Sequence, residues 1–179
     1  MNQLIPVNLD NGVIQIHPLR TSDLINHDEI VNDLYEIFGD ITSIPYNKEK
    51  YVMDKKTIIN QIFGITLGYQ QQIRYTHLLT LKEINKIIGE IIILSPKSVE
   101  LEYNMKDTWL IEYYLNKQLW NNGIMSGVIS AIINNMKSQG ITNIGAFVNR
   151  DNISSIKVLE KSGFNRITQF DLKQDFYKI

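Results

Sequence analysis

Two runs in the C-terminal half of the chain combine residue types that can hold an anion. The first reads Trp120-Asn121-Asn122-Gly123-Ile124-Met125-Ser126. It follows an aromatic and aliphatic stretch, residues 109–115, with the composition of a buried strand, which polar Asn116, Lys117 and Gln118 then break. It leads into Val128, Ile129, Ala131, Ile132, Ile133 and Met136, whose spacings of three and four give a helix one apolar face to lay on a sheet. The N–H groups at the start of such a helix lack intrahelical acceptors and sit at the positive end of its dipole, so a phosphate can bind there. Gly123 lets the backbone come close to it. The second run follows a strand-like segment, residues 142–148. In it Asp151 or Asn152 caps a short helix with Ile156, Leu159 and Ile153 on its buried face, and Gly163 stops it. By that local reading Asn152 and Ser155 are a cap and a first-turn polar residue. The order strand, glycine turn, helix, strand, Asn-x-x-Ser helix suits a phosphate-bearing cofactor, although each piece also occurs as plain α/β architecture.

Candidates for proton transfer are few. Glu112 lies inside the apolar strand, and alternation puts it on one sheet face with Leu110 and Tyr114. A carboxylate on a buried face should have a raised pKa, nearer that of a useful base. The alternative is a rim position paired with a nearby lysine. His17 and His77 are rivals, although a lone histidine is more often a surface or hydrogen-bonded core residue than a catalyst. The chain has no cysteine, which excludes disulfides, thiolate metal sites and a cysteine nucleophile. No metal is expected.

These residues need elements to position them. Residues 13–19 read as a strand, and Asp23 caps a helix that runs to Phe38 and stops at Gly39. Residues 41–47, with Pro45, are loop, followed by a helix over residues 50–69 whose end Gly64 and Gly68 leave open. Residues 74–82 and 87–94 form a hairpin, and residues 96–106 are a polar connection with a partial strand at 98–102. The segment 165–179 returns as two strands broken near residues 173–175. A mixed α/β sheet with helices on both faces follows.

A chain of 179 residues, without internal repeat or linker, is read as a single domain, 1–179, large enough for a substantial core. Its hydrophobic fraction of 44% and charged fraction of 21% are those of a globular protein in water. A net charge of -1 with dispersed lysines does not suggest a nucleic-acid partner. Residues 1–10 contain no signal-like apolar run and nothing later reaches membrane-spanning length, so no membrane partner and a cytoplasmic location are expected. The Ile, Asn and Lys bias resembles that of AT-rich bacterial coding and decides nothing about function. Phe170, Phe176 and Tyr177 near the end offer a homodimer surface.

Taken together, the two runs resemble the GNAT superfamily of acyl-CoA N-acyltransferases, most closely the branch of ribosomal-protein N-terminal acetyltransferases. There a tryptophan and a glycine open the cofactor helix and a block Asn-x-x-Ser-x-x-Val-Leu-Glu-Lys-x-Gly-Phe follows. This chain has Trp120 through Ser126 for the first and Asn152 through Phe164 for the second. Ile14-Gln15-Ile16-His17-Pro18-Leu19 with Asp23 is similar to the family's opening strand, and Ile87-Ile88-Gly89-Glu90-Ile91 to its central hairpin.

The resemblance implies a mostly antiparallel sheet with one splayed parallel pair of strands and acetyl-CoA as cosubstrate. Tyr113, Leu115 and residues 145–148 would edge the cofactor's pantetheine arm. Backbone N–H groups of Asn121, Asn122, Gly123, Ile124, Met125 and Ser126 would take the pyrophosphate, and Asn152 would touch the arm. The amide of Tyr114 or Leu115 would polarise the thioester carbonyl. Many members carry a tyrosine acid in the second helix where this chain has Val158 and Leu159, which leaves Ser155 as the acid or as a cofactor-positioning residue. Glu112 would be the base. Met125 stands where a small residue is common, Asn121 where glycine is frequent and Gly127 where glutamate is frequent. The implied acceptor is a protein N-terminus, with a small amine (polyamine, amino acid or antibiotic) as the alternative, in a cleft of Tyr46, Tyr51, Glu36, Tyr75 and His77. A non-catalytic acyl-CoA-binding module is a further alternative.

Overall fold

A computed structural model describes residues 3–179 of the chain; Met1 and Asn2, the start of the segment read above for a signal, lie outside it. Eight strands form one sheet in the order β1-β2-β3-β4-β5-β6-β8-β7. They are β1 Leu9–Asp10, β2 Ile14–Pro18, β3 Arg74–Leu81, β4 Lys86–Leu94, β5 Trp109–Leu115, β6 Ile144–Asn149, β7 Asn165–Gln169 and β8 Gln174–Lys178. Neighbours are antiparallel except β5 and β6, which run parallel. That pair holds register only at Trp109↔Ile144 and Leu110↔Gly145. Beyond these residues β5 stays paired to β4 as far as Leu115↔Gly89, and β6 to β8 as far as Asn149↔Gln174, so the sheet opens between them. The mixed sheet with its splayed pair is as the sequence resemblance implies.

Helices cover both faces. On one lie α5 (Ile124–Ser138) and α6 (Ile153–Lys161), which bury Ile129, Ile132, Met136 and Leu159. On the other lie α2 (His27–Phe38), α3 (Lys55–Gln71) and α4 (Pro96–Tyr103), with Leu34, Ile37, Ile58, Ile62 and Val99 in the core. In α2 the buried residues Ile30, Val31, Leu34, Ile37 and Phe38 recur at helical spacing, and the Gly39 N–H closes the last turn on the Tyr35 carbonyl. Among the described residues no helix is long and apolar enough to cross a membrane.

Four expectations are corrected in detail. The helix expected from Asp23 to Phe38 is two, α1 (Thr21–Ile25) and α2, broken at Asn26. Asp23 is not its cap but lies inside the first turn, and its carboxylate reaches back to the Arg20 N–H at 2.7 Å. α3 starts later than residue 50 because Asp54 is the cap, accepting the Thr57 N–H at 2.8 Å, and it passes both glycines to end at left-handed Gln72. Residues 96–103 are helix rather than connection and strand. Pro96 occupies the first turn after Ser95, left-handed Asn104 ends it and Val99 anchors it in the core, a segment too short and polar to show helical periodicity. The C-terminal break falls at residues 170–173, where the Asp171 carboxylate accepts the Lys173 and Gln174 N–H groups at 2.7 and 2.6 Å.

Candidate functional site

The opening between β5 and β6 continues into a cleft of about 550 Å³. Residues 111–115 form one wall, 147–149 and the start of α6 the other, the loop 43–47 covers one end and the start of α5 lies at the other. Strand alternation decides which backbone groups face it. The Trp109 N–H bonds the Asn143 carbonyl on the β6 side, and the Asn116 N–H bonds the Ile88 carbonyl on the β4 side. Odd-numbered residues of β5 therefore aim their peptide groups toward β6 and even-numbered ones toward β4. Above Leu110, where β6 moves away, the Ile111 carbonyl and the peptide groups of Tyr113 and Leu115 face the cleft. Tyr114, one of two candidates for polarising a thioester carbonyl, turns its amide to β4, which leaves Leu115. The Leu115 carbonyl is taken by the Trp120 indole N–H at 2.9 Å, and this bond ties the loop to the strand end.

That loop is built for a tight approach. Asn121 has φ 64° and Gly123 φ 74°, left-handed conformations that asparagine tolerates and glycine adopts freely. The Asn122 side chain donates to the Leu119 and Trp120 carbonyls, at 3.3 and 3.2 Å, and braces the turn. α5 begins without a side-chain cap, and its first intrahelical bond runs from the Gly127 N–H to the Gly123 carbonyl at 3.2 Å. The N–H groups of Ile124, Met125 and Ser126 thus have no helical acceptor and lie at the cleft. The Met125 side chain turns into the core, so its bulk leaves the loop clear.

At the start of α6 Asn152, not Asp151, is the cap: its Oδ1 accepts the Ser155 N–H at 3.1 Å. Ser155 meets a partner the sequence did not disclose. Its Oγ lies 2.6 Å from the Tyr113 hydroxyl, which also reaches the Ser155 carbonyl at 3.2 Å. Burial pushes the Tyr113 phenol pKa well up, against the smaller opposing effect of its bond to Ser155. Tyr46 crosses the cleft, its hydroxyl donating to the Asp151 carbonyl at 3.0 Å.

On the α2 side of the sheet Glu112 lines the cleft beside Tyr114, on the face expected. It is ion-paired with Lys50 at 3.3 Å and Arg74 at 3.7 Å, and its side chain is 25% exposed. Of the two readings offered for it, these contacts match the rim pair. Asn47 donates to the Tyr114 hydroxyl at 3.0 Å. Glu90, on β4 directly opposite Tyr114, is the residue sequence reasoning missed. Burial pushes its carboxyl up to about 7, with Arg74 and Lys50 pulling it down and Glu112 adding to the rise. A single charge inside Ile87-Ile88-Gly89-Glu90-Ile91-Ile92-Ile93 was the signal available.

The histidines are elsewhere. His77 is fully buried on the opposite sheet face, where Nε2 accepts the Val7 N–H at 2.9 Å, and burial brings its pKa down to about 4. His17 places Nδ1 2.8 Å from the Pro18 carbonyl, an acceptor only, so Nδ1 holds the proton and Nε2 accepts from the Thr80 hydroxyl at 2.7 Å. Both are core hydrogen-bonding residues. The expected acceptor cleft is corrected likewise. Only Tyr46 of its members lines the opening; Tyr75 packs with Tyr69 and Trp109 on the far face, and Glu36 pairs with Lys86 at 2.6 Å in a separate notch. Of the three aromatics offered as a dimer surface, Phe176 and Tyr177 are buried, and Phe170 packs on Phe147 with ring centroids 4.1 Å apart.

Residues 18–165 match the family model described as acetyltransferase (GNAT) domain. No curated protein matches the chain. Similar solved structures include the GNAT-family acetyltransferase from Bacillus anthracis, with TM-score 0.68, 18% identity and coverage of 97% of this chain and 98% of that one. Ribosomal-protein-S5-alanine acetyltransferase from Vibrio fischeri has TM-score 0.71 and 17% identity, over 96% of this chain and 94% of that one. The microcin C7 self-immunity acetyltransferase MccE, solved with acetyl-CoA and AMP, has TM-score 0.69 and 16% identity, over 99% and 98%.

Proposed function

The chain belongs to the acetyltransferase (GNAT) family, and from that premise we propose that it is a cytoplasmic enzyme of one catalytic domain that moves an acetyl group from acetyl-CoA to a protein or peptide N-terminal amine. The observation that carries this reading is the coincidence of two features in one cleft. The sheet opens above Leu110 and Gly145, and the uncapped first turn of α5 faces the same space. Relatives of similar fold named for ribosomal-protein acetylation support the choice of acceptor.

Acetyl-CoA supplies an activated acetyl thioester. Asn121 through Ser126 hold its pyrophosphate through backbone N–H groups, and the Tyr113 and Leu115 peptide groups and the Asn152 side chain hold the arm. The Leu115 N–H donates to the thioester oxygen as charge gathers there. Glu112, at the acceptor end, takes the proton that leaves the amine nitrogen as the N–C bond forms. The C–S electron pair goes to sulfur, beside the Ser155 hydroxyl. No covalent enzyme intermediate is required.

A panel of peptides with free N-termini and of small amines, assayed for CoA release, tests the acceptor. Peptide turnover is expected, lowered about a hundredfold or more in Glu112→Gln with the acetyl-CoA affinity kept. Turnover confined to polyamines, amino acids or aminoglycosides would move the assignment to a small amine. Acetyl-CoA binding without turnover of any amine would favour a non-catalytic acyl-CoA-binding module.

A further inference from the structure

Ser155 stands in the first turn of α6, ahead of the turns in which a serine can return its proton to a helical carbonyl four residues earlier. The carbonyl four residues before it, of Asp151, lies outside the helix and is occupied by the Ile153 N–H and the Tyr46 hydroxyl, both at 3.0 Å. Among the described residues the Ser155 hydroxyl has one hydrogen-bond partner, the Tyr113 hydroxyl at 2.6 Å. Both side chains line the cleft. We propose that Tyr113 is a positioning residue that donates its hydrogen bond to Ser155 Oγ and so aims the Ser155 proton at the sulfur of the bound thioester or thiol.

The alternative arrangement has Ser155 donating to Tyr113 and Tyr113 donating to the Ser155 carbonyl at 3.2 Å. A sulfur carrying negative charge selects the first arrangement, because only that one offers it a donor. Tyr113 loses no proton in doing so. Its phenol, raised by burial, stays protonated through neutral pH and serves as a fixed donor. Ser155 Oγ accepts from it while its own O–H hydrogen-bonds the sulfur, whose charge comes from the C–S electron pair or from ionisation of the thiol. The pair shares the work between a strand and a helix, and neither hydroxyl needs to act as a strong acid.

The inference rests on the acetyl-CoA reading, and its test does not depend on knowing the acceptor. The ionisation of CoA thiol bound to the protein is followed by thiolate ultraviolet absorbance against pH, for wild type, Tyr113→Phe, Ser155→Ala and the double variant. The bound thiol should ionise about one to two pH units lower in wild type than in either variant, the worth of one hydrogen bond to a charged group. The double variant should match Ser155→Ala alone. Desulfo-CoA, which keeps every other contact, should bind Tyr113→Phe within about twofold of wild type. Ionisation in Tyr113→Phe at the wild-type pH, independent effects of the two substitutions, or loss of desulfo-CoA binding in Tyr113→Phe would each overturn the orienting role alone. Failure of CoA to bind wild type would overturn it together with the acetyl-CoA reading.

Discussion

Replacing Glu90 by glutamine should stabilise the fold by about 3 kcal/mol at pH 8 and leave it unchanged at pH 4. Glu90 is buried on β4, and burial, the largest influence on it, pushes its carboxyl up to about 7 from the ordinary 4.5. Below the lower value both folded and unfolded chains carry the proton and the carboxyl is neutral at no penalty. As pH rises from 4.5 the unfolded chain ionises and the folded chain does not, so stability is lost progressively until the folded carboxyl ionises near 7. Glutamine keeps the shape without the charge, so its advantage grows across that window and is complete above it. Urea denaturation at pH 4, 6 and 8 reads the result directly. An equal gain at every pH, or a loss at pH 8, would mean that the neighbouring Arg74 and Lys50 satisfy the carboxylate. A buried acid beside Glu112, Lys50 and Arg74, at what is proposed as the acceptor end, is the kind of stability sacrifice that functional sites carry.

Gly123→Asp should bind acetyl-CoA about tenfold or more weakly than Gly123→Asn, with the gap narrowing in high salt. At Gly123 a Cβ would meet no atom within 4 Å, so the only structural penalty of substitution is the φ of 74°. Asparagine and aspartate tolerate that conformation similarly and are nearly isosteric, so the comparison isolates one negative charge. Set against the N–H groups of Ile124, Met125 and Ser126, which have no helical acceptor, that charge would take the place proposed for the phosphate. Calorimetric titration of the two variants gives the ratio. Equal affinities would show that the pyrophosphate lies elsewhere.

Much of the side proposed for the cofactor was legible in the sequence as structure because its groups are backbone groups, fixed by local patterns. A strand, a glycine turn and an apolar helix appear where residues 109–136 predict them, and of Asp151 and Asn152, both cap residue types, the structure uses Asn152. The acceptor side was less so, since its residues meet only through the tertiary fold. Lys50 and Arg74 are 24 positions apart in sequence and converge on Glu112. His77 and Tyr75 lie on the sheet face opposite Glu112, because His77 pairs with Ile91 and Ile91 with Tyr113, a parity set by the register across three strands and not by local pattern. The pairing of Tyr113 with Ser155 joins residues 42 positions apart. The helix at Pro96–Tyr103 was hidden by polarity, not by distance.

The most direct test of the cleft's role is calorimetric titration of the wild-type protein with acetyl-CoA. Saturable binding at one site per chain, weakened in Asn152→Ala, is the expected result. No detectable binding by wild type would contradict the assignment of the cleft and leave family membership without the activity.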